Sequence, residues 1–184
     1  MEARSDPSTD TSAFNAGFAA AAPQLWAWIR IRIGPRLRTT LDPEDVLQEV
    51  ATRAWSRYAS YDPSQGELRG WLFGIARNVL AELLSKVARG GGALDWSTSN
   101  WSMLPDDATR ATQMVVKAER INGVVAWLET LPDEDRKLVL YRGLEGLEHR
   151  EVAELLGTSE AAAKKRWQRL RDRMQEQPGF EELL

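Results

Sequence analysis

Apolar residues along this chain recur at spacings of three and four, and strict alternation with polar residues is never sustained, so the elements it predicts are helices. The first runs from Pro23 to Ile33, with Leu25, Trp26, Ile29 and Ile33 as its stripe, and Gly34-Pro35 interrupts it. Asp42-Pro43 opens a second, an aspartate cap followed by a proline suited to the first turn. There Val46, Leu47, Val50, Ala51, Ala54, Trp55 and Tyr58 share one face, while Asp45, Gln48, Glu49, Thr52 and Arg53 take the other. A loop by composition, Tyr61 to Gly66, precedes the clearest periodicity in the chain, Glu67 to Val87.

The glycines at 90–92 end that helix, and residues 90–110 read as a flexible linker, long for a compact domain. It carries Trp96, Trp101 and Met103, unusual in a mere tether and suited to docking on a surface. A second helical block spans 111–177. One helix carries Val115, Ile121, Val125 and Leu128 up to Pro132, and another holds Leu138 to Tyr141. Two short helices follow, about Glu148 to Leu156 and Glu160 to Gln175, with Gly157-Thr158-Ser159 as the turn between them. Residues 1–22, rich in Ala, Ser and Thr, read as a flexible tail, and 178–184 as another. The expected fold class is therefore all-α: two small helical domains, 23–89 and 111–177, joined by a flexible linker.

The last helix pair has the spacing of a helix-turn-helix. Ser159 can cap the second helix, Ala161, Ala162 and Ala163 allow close approach, and Trp167, Leu170 and Met174 supply a buried face. Lys165, Gln168 and Arg169 then suit base edges, whereas Lys164, Arg166, Arg171 and Arg173 suit phosphates, as does Thr158 at the helix start. A solvated basic helix in an ordinary bundle is the plain alternative.

Charge sharpens this picture only locally. The net charge of −3 argues against a simple nucleic-acid coat. Yet Glu160 to Arg173 holds six basic residues and two acidic ones, while Asp42 to Glu49 holds four acids and no base. The two segments should meet different partners. The chain has no cysteine and one histidine, His149, which leaves no disulfide framework, no His/Cys metal cluster and little room for a His-centred triad. No phosphate loop or activated nucleophile is present, so no catalytic residue, cofactor or metal is expected. No stretch has the roughly 18 apolar residues of a membrane span, and a cytoplasmic location is expected.

Several motifs resemble one family. Leu131-Pro132-Asp133-Glu134-Asp135-Arg136, Glu145-Gly146-Leu147 and Glu151-Val152-Ala153-Glu154-Leu155-Leu156-Gly157 are similar to the DNA-binding domain of sigma-70-type factors, the two-domain extracytoplasmic-function group in particular. Asp45-Val46-Leu47-Gln48-Glu49-Val50 with Arg53-Ala54-Trp55 resembles that group's polymerase-clamp helix, and Trp71-Leu72-Phe73-Gly74-Ile75-Ala76-Arg77-Asn78 its promoter-melting helix. The resemblance implies that Asp45, Gln48, Glu49 and Arg53 bind the clamp of core RNA polymerase. It implies that the Ser60-to-Glu67 loop, with Tyr61, captures a flipped base of the minus-ten element. Arg69, Arg77, Asn78, Lys86 and Arg89 would line the melted strand. Thr158, Lys164, Lys165, Arg166, Gln168, Arg169 and Arg171 would bind the minus-thirty-five duplex, with the polymerase flap as a second contact. Tyr61 reads equally well as core packing, and Trp71 reads better as core packing than as a base contact. The group typically pairs with an anti-sigma factor, though no residue identifies one. Three departures stand out: Ser85 where arginine is common, Glu148 where a serine or threonine cap is common, and the alanines 161–163 at the recognition-helix start. Glu148 should therefore cap poorly. A dimeric helix-turn-helix repressor and a helical adaptor that binds no DNA remain the competing readings.

Overall fold

A computed structural model describes residues 7–90 and 101–183. Every extended element among them is helical: α1 (Pro7–Leu37), α2 (Pro43–Arg57), α3 (Leu68–Ala88), α4 (Asp106–Lys117), α5 (Glu119–Thr130), α6 (Asp133–Leu138), α7 (His149–Leu156) and α8 (Glu160–Gln175). α6 continues into one π-helical turn, Val139–Leu144. None of these helices is long and apolar enough to cross a membrane.

The N-terminal domain packs α1, α2 and α3 around Leu25, Ile29, Val46, Leu47, Val50, Leu72, Ala76 and Val79, all buried. Gly34 breaks α1 where the sequence predicts, at φ 66° and ψ 165°, a left-handed conformation that glycine adopts without a Cβ penalty. Asp42 caps α2 by accepting from the Glu44 amide at 2.8 Å.

The start of the chain departs from expectation. Residues 1–22 were expected to be a flexible tail, but α1 begins at Pro7, and Phe14 and Phe18 are fully buried. Phe14 lies 5.2 Å from the Trp55 ring and 5.1 Å from the Tyr58 ring. Two aromatics four residues apart make an anchor, but the Ser, Thr, Asp and Ala around them hide the stripe in sequence. Pro23 consequently sits in the middle of the helix rather than in its first turn.

The linker is shorter than its composition indicates. Trp96 lies outside the described residues. A single 3-10 turn at Trp101–Met103 leads to α4, Leu104 is buried, and Met103 is 64% exposed rather than docked. The helix expected from about 110 to Leu131 is two, because Ala118 is extended at φ −71° and ψ 103°. The C-terminal tail also docks: Phe180 and Leu183 are buried. Gly179 makes this turn at φ 89°, where a Cβ would stand 2.9 Å from that of Arg120.

The two domains pack against each other. α4 and α5 lie along α1, α4 also covers part of α2, and the π-helical turn meets α1.

Candidate nucleic-acid interface

α7 and α8 form the expected helix-turn-helix. Gly157 ends α7 in the left-handed region at φ 64° and ψ 36°, and Ser159 caps α8 by accepting from the Ala162 amide at 3.2 Å. At the start of α7 the Glu148 amide donates to Glu151 Oε2 at 2.8 Å, so the reciprocal half of a capping box is made although the cap residue is a glutamate. Val152, Ala153, Ala163, Leu170 and Met174 are buried and Trp167 is half-buried, while Leu155, on the same short helix, is 58% exposed.

Opposite that buried face, α8 turns Lys164, Lys165, Gln168, Arg169 and Arg171 to solvent, with Thr158 exposed at its start. Gln168 donates to Asp172 at 3.0 Å and accepts from Arg171 at 3.2 Å, which holds its amide on the helix surface. Lys164, Lys165 and Arg169 form no ion pair among the described residues. This row is cationic, solvated and carried on a capped helix, as a surface that meets phosphates and base edges must be.

Arg166 does not belong to that row. Its Nε donates to Asp135 Oδ1 at 2.5 Å and its Nη1 pairs with Glu134. These hydrogen bonds hold its guanidinium above its ordinary pKa. Asp135 keeps only 12% of its side chain exposed. Expected as a phosphate contact, Arg166 instead ties α8 to α6, because the acid pair beside Pro132 lies within its reach.

A second cluster gathers around the loop before α3. Ser60, Tyr61, Asp62, Gln65, Gly70 and Trp71 line a pocket of about 340 Å³. The Tyr61 hydroxyl donates to the Gly66 carbonyl at 2.9 Å, and its ring lies 5.4 Å from Trp71 and 6.0 Å from Tyr58. Asp62 accepts from the Ser64 amide at 2.9 Å, which holds its carboxyl below the usual range. The loop is thus built before any ligand arrives. Tyr61 and Trp71 are both half-buried, so each packs and still lines the pocket. Asn78 and Lys86 on α3, and Arg89 at its C-cap, are exposed. Arg69 and Arg77 are not free: Arg69 donates to the Gly143 and Leu144 carbonyls, and Arg77 to Glu145.

The polar face of α2 is less open than its sequence indicates. Asp45 and Gln48 are half-buried, but Glu49 is 6% exposed and Thr52 is 7% exposed. Gln48 accepts from the Thr112 hydroxyl of α4 at 2.9 Å. Glu49 accepts from Arg53 at 2.6 Å, and Arg53 reaches Glu82 on α3 at 2.7 Å. Burial, and then Asp42 and Glu44, push the Asp45 carboxyl up. The sequence pattern identified the face, but not α4 as its cover, because α4 reads there as the end of a linker and the start of a helix in a separate domain.

The chain is similar to known proteins across both domains. A family model described as sigma-70 region 2 matches residues 18–90, and one described as sigma-70, region 4 matches residues 124–174. The ECF RNA polymerase sigma factor SigJ of Mycobacterium tuberculosis is 35% identical over 150 residues, 77% of this chain and 45% of that protein. The probable RNA polymerase sigma factor RfaY of Xanthomonas campestris is 30% identical over 131 residues, 70% of this chain and 32% of that protein. The ECF RNA polymerase sigma factor SigE of Mycolicibacterium smegmatis is 27% identical over 180 residues, 94% of this chain and 68% of that protein. The chain thus spans 45% of the length of SigJ and 32% of that of RfaY. No solved structure matches it significantly. A helical domain matching region 2, a helix-turn-helix matching region 4 and these relatives together place the chain in the sigma-70 family of RNA polymerase sigma factors, in its extracytoplasmic-function group.

Proposed function

We propose that this chain binds bacterial core RNA polymerase and directs it to promoters, with labour divided between its two domains. The observation that carries this reading is the exposed cationic row of α8, presented by a capped helix whose opposite face is buried. Lys165, Gln168 and Arg169 face the base edges of the upstream element. Lys164, Arg171 and Thr158 hold its phosphates. Arg166 is left out of this set, since it serves the fold.

Downstream, the pocket beside Tyr61 and Trp71 receives one unpaired base of the minus-ten element. Capture of an extruded base is worth a few kcal/mol, enough to favour the melted duplex. Asn78, Lys86 and Arg89, with Arg69 and Arg77 once released, run along the strand's phosphates. The acidic edge of α2, Asp45 and Gln48 with the Glu49–Arg53 pair behind them, meets the basic clamp of the polymerase. No covalent step is required of the chain itself, since stabilising the melted strand is a binding event.

The test is run-off transcription with purified core polymerase on a library of promoters. The chain should yield promoter-dependent transcripts, and Arg169→Ala should remove them. Binding of the chain alone to duplex DNA as a dimer, with no transcript on any promoter, would establish the repressor reading instead. Full activity after neutralising both Lys165 and Arg169 would favour the adaptor.

A further inference from the structure

Asp172 sits where charge alone would not put it. α8 carries two acids, Glu160 in its first turn and Asp172 near its end. The helix dipole favours an acid at the first place and disfavours one at the second. Asp172 follows Gln168 by four residues and Arg169 by three, so it shares the face of the cationic row. An acid there opposes the phosphates that such a row meets. Among the described residues Asp172 forms no ion pair, although Arg169, Arg171 and Arg173 flank it in sequence. Its partner is Gln168, whose Nε2 donates to Asp172 Oδ1 at 3.0 Å.

The other pole of that amide is held as well, because Arg171 Nη2 donates to Gln168 Oε1 at 3.2 Å. Gln168, Arg171 and Asp172 are all exposed, so these two hydrogen bonds rather than packing set the amide's orientation. Turned over, the amide would set its oxygen against a carboxylate and its NH2 against a guanidinium. A primary amide has two N–H donors and two oxygen lone pairs. With one of each engaged, Gln168 keeps one donor and one acceptor. Adenine shows the matching acceptor N7 and donor N6 in the major groove, whereas guanine shows two acceptors, N7 and O6. A fixed amide therefore suits adenine, while an amide free to turn also offers its NH2 to guanine.

We infer that Asp172 is a positioning residue for promoter choice: by holding Gln168, it sets one base pair of the upstream element to adenine rather than guanine. This rests on the proposed reading of α8 as the helix that meets base edges. A long side chain ordered only on binding weakens an interaction by roughly two- to tenfold, and Asp172 orders Gln168 beforehand.

The test assembles the full chain with core polymerase, offers promoters whose upstream element is randomised, and counts the bases at each position among those bound. Gln168→Ala identifies the position that Gln168 reads. There the unaltered chain should favour adenine, and Asp172→Ala should lower the adenine-to-guanine ratio about fivefold. Asp172→Asn keeps an acceptor oxygen at the same reach and should retain most of the ratio. The double variant should relax that position no further than Gln168→Ala alone, as expected of two residues acting through one contact. An unchanged ratio in Asp172→Ala overturns the positioning role, as does a preference for any base other than adenine in the unaltered chain. Relaxation at a different position also overturns it, and makes Asp172 a base contact in its own right. A loss of binding that is equal for all four bases does the same, since the choice of base is then untouched. If Gln168→Ala leaves every position unchanged, the assignment of Gln168 to a base edge fails first, and the role of Asp172 falls with it.

Discussion

Replacing Phe14 with alanine tests whether the N-terminal turns of α1 belong to the folded domain. Phe14 is fully buried, with ring centroids 5.8 Å from Phe18, 5.2 Å from Trp55 and 5.1 Å from Tyr58. A buried phenylalanine removes roughly 150 Å² or more from water, which at about 25 cal/mol per Å² contributes about 4 kcal/mol. Measured truncations of this kind cost about 3–5 kcal/mol once the cavity is included. With a urea dependence of about 2 kcal/mol per molar, the unfolding midpoint should fall by about 2 M urea. Circular dichroism during urea titration measures it directly. Met114→Ala is the control, since that side chain is 67% exposed and should change stability by less than about 0.5 kcal/mol. If Phe14→Ala also stays within that margin, residues 7–22 do not dock and the description of α1 is wrong. Because Tyr58 also stacks on Tyr61, the same variant should loosen the loop that lines the pocket.

Two further predictions concern the C-terminal domain. Burial, then the charges of Arg142 and Lys164, lower the pKa of His149; the folded state therefore stays neutral while the unfolded chain takes up a proton, and stability should fall as pH drops through about 6.5. His149→Gln should remove that part of the pH dependence, and identical urea midpoints for the two proteins at pH 5.5 and 7.5 would refute it. Arg166→Ala strips Asp135 of its close partner and should cost about 1–3 kcal/mol, whereas Arg169→Ala should cost less than about 0.5 kcal/mol. Equal melting temperatures for the two variants would contradict the structural role given to Arg166.

What could be read in the sequence divides along one physical line. Local signals were legible: the Asp42 cap, the break at Gly34, the turn at Gly157 and the long stripe of α3 each depend on residues within one or two turns of each other. Composition misled where few residues carry a contact. Phe14 and Phe18 anchor a segment otherwise full of Ala, Ser and Thr, and Phe180 and Leu183 anchor a tail that looks free. Long-range pairing was out of reach. Arg69 and Arg77 were identified as cations on α3, but their acceptors lie 68 to 75 residues further along the chain. Glu145 itself appeared only as part of a glutamate-glycine-leucine motif. On α8 the solvent exposure of Lys164, Lys165, Gln168 and Arg169 was legible from helical spacing, but the pairing of Arg166 was not, because its acid partners sit 31 and 32 residues upstream on α6.

The division of labour between the domains is best tested by measuring two steps on the same variants: association with purified core polymerase, and promoter-specific transcription. Asp45→Ala combined with Gln48→Ala should weaken association, while leaving α8 and its cationic row untouched. Arg169→Ala should associate normally and lose specific transcripts. If both variants fail at association, or both associate fully and fail only on promoters, the acidic edge of α2 and the basic face of α8 do not have the separate tasks assigned to them.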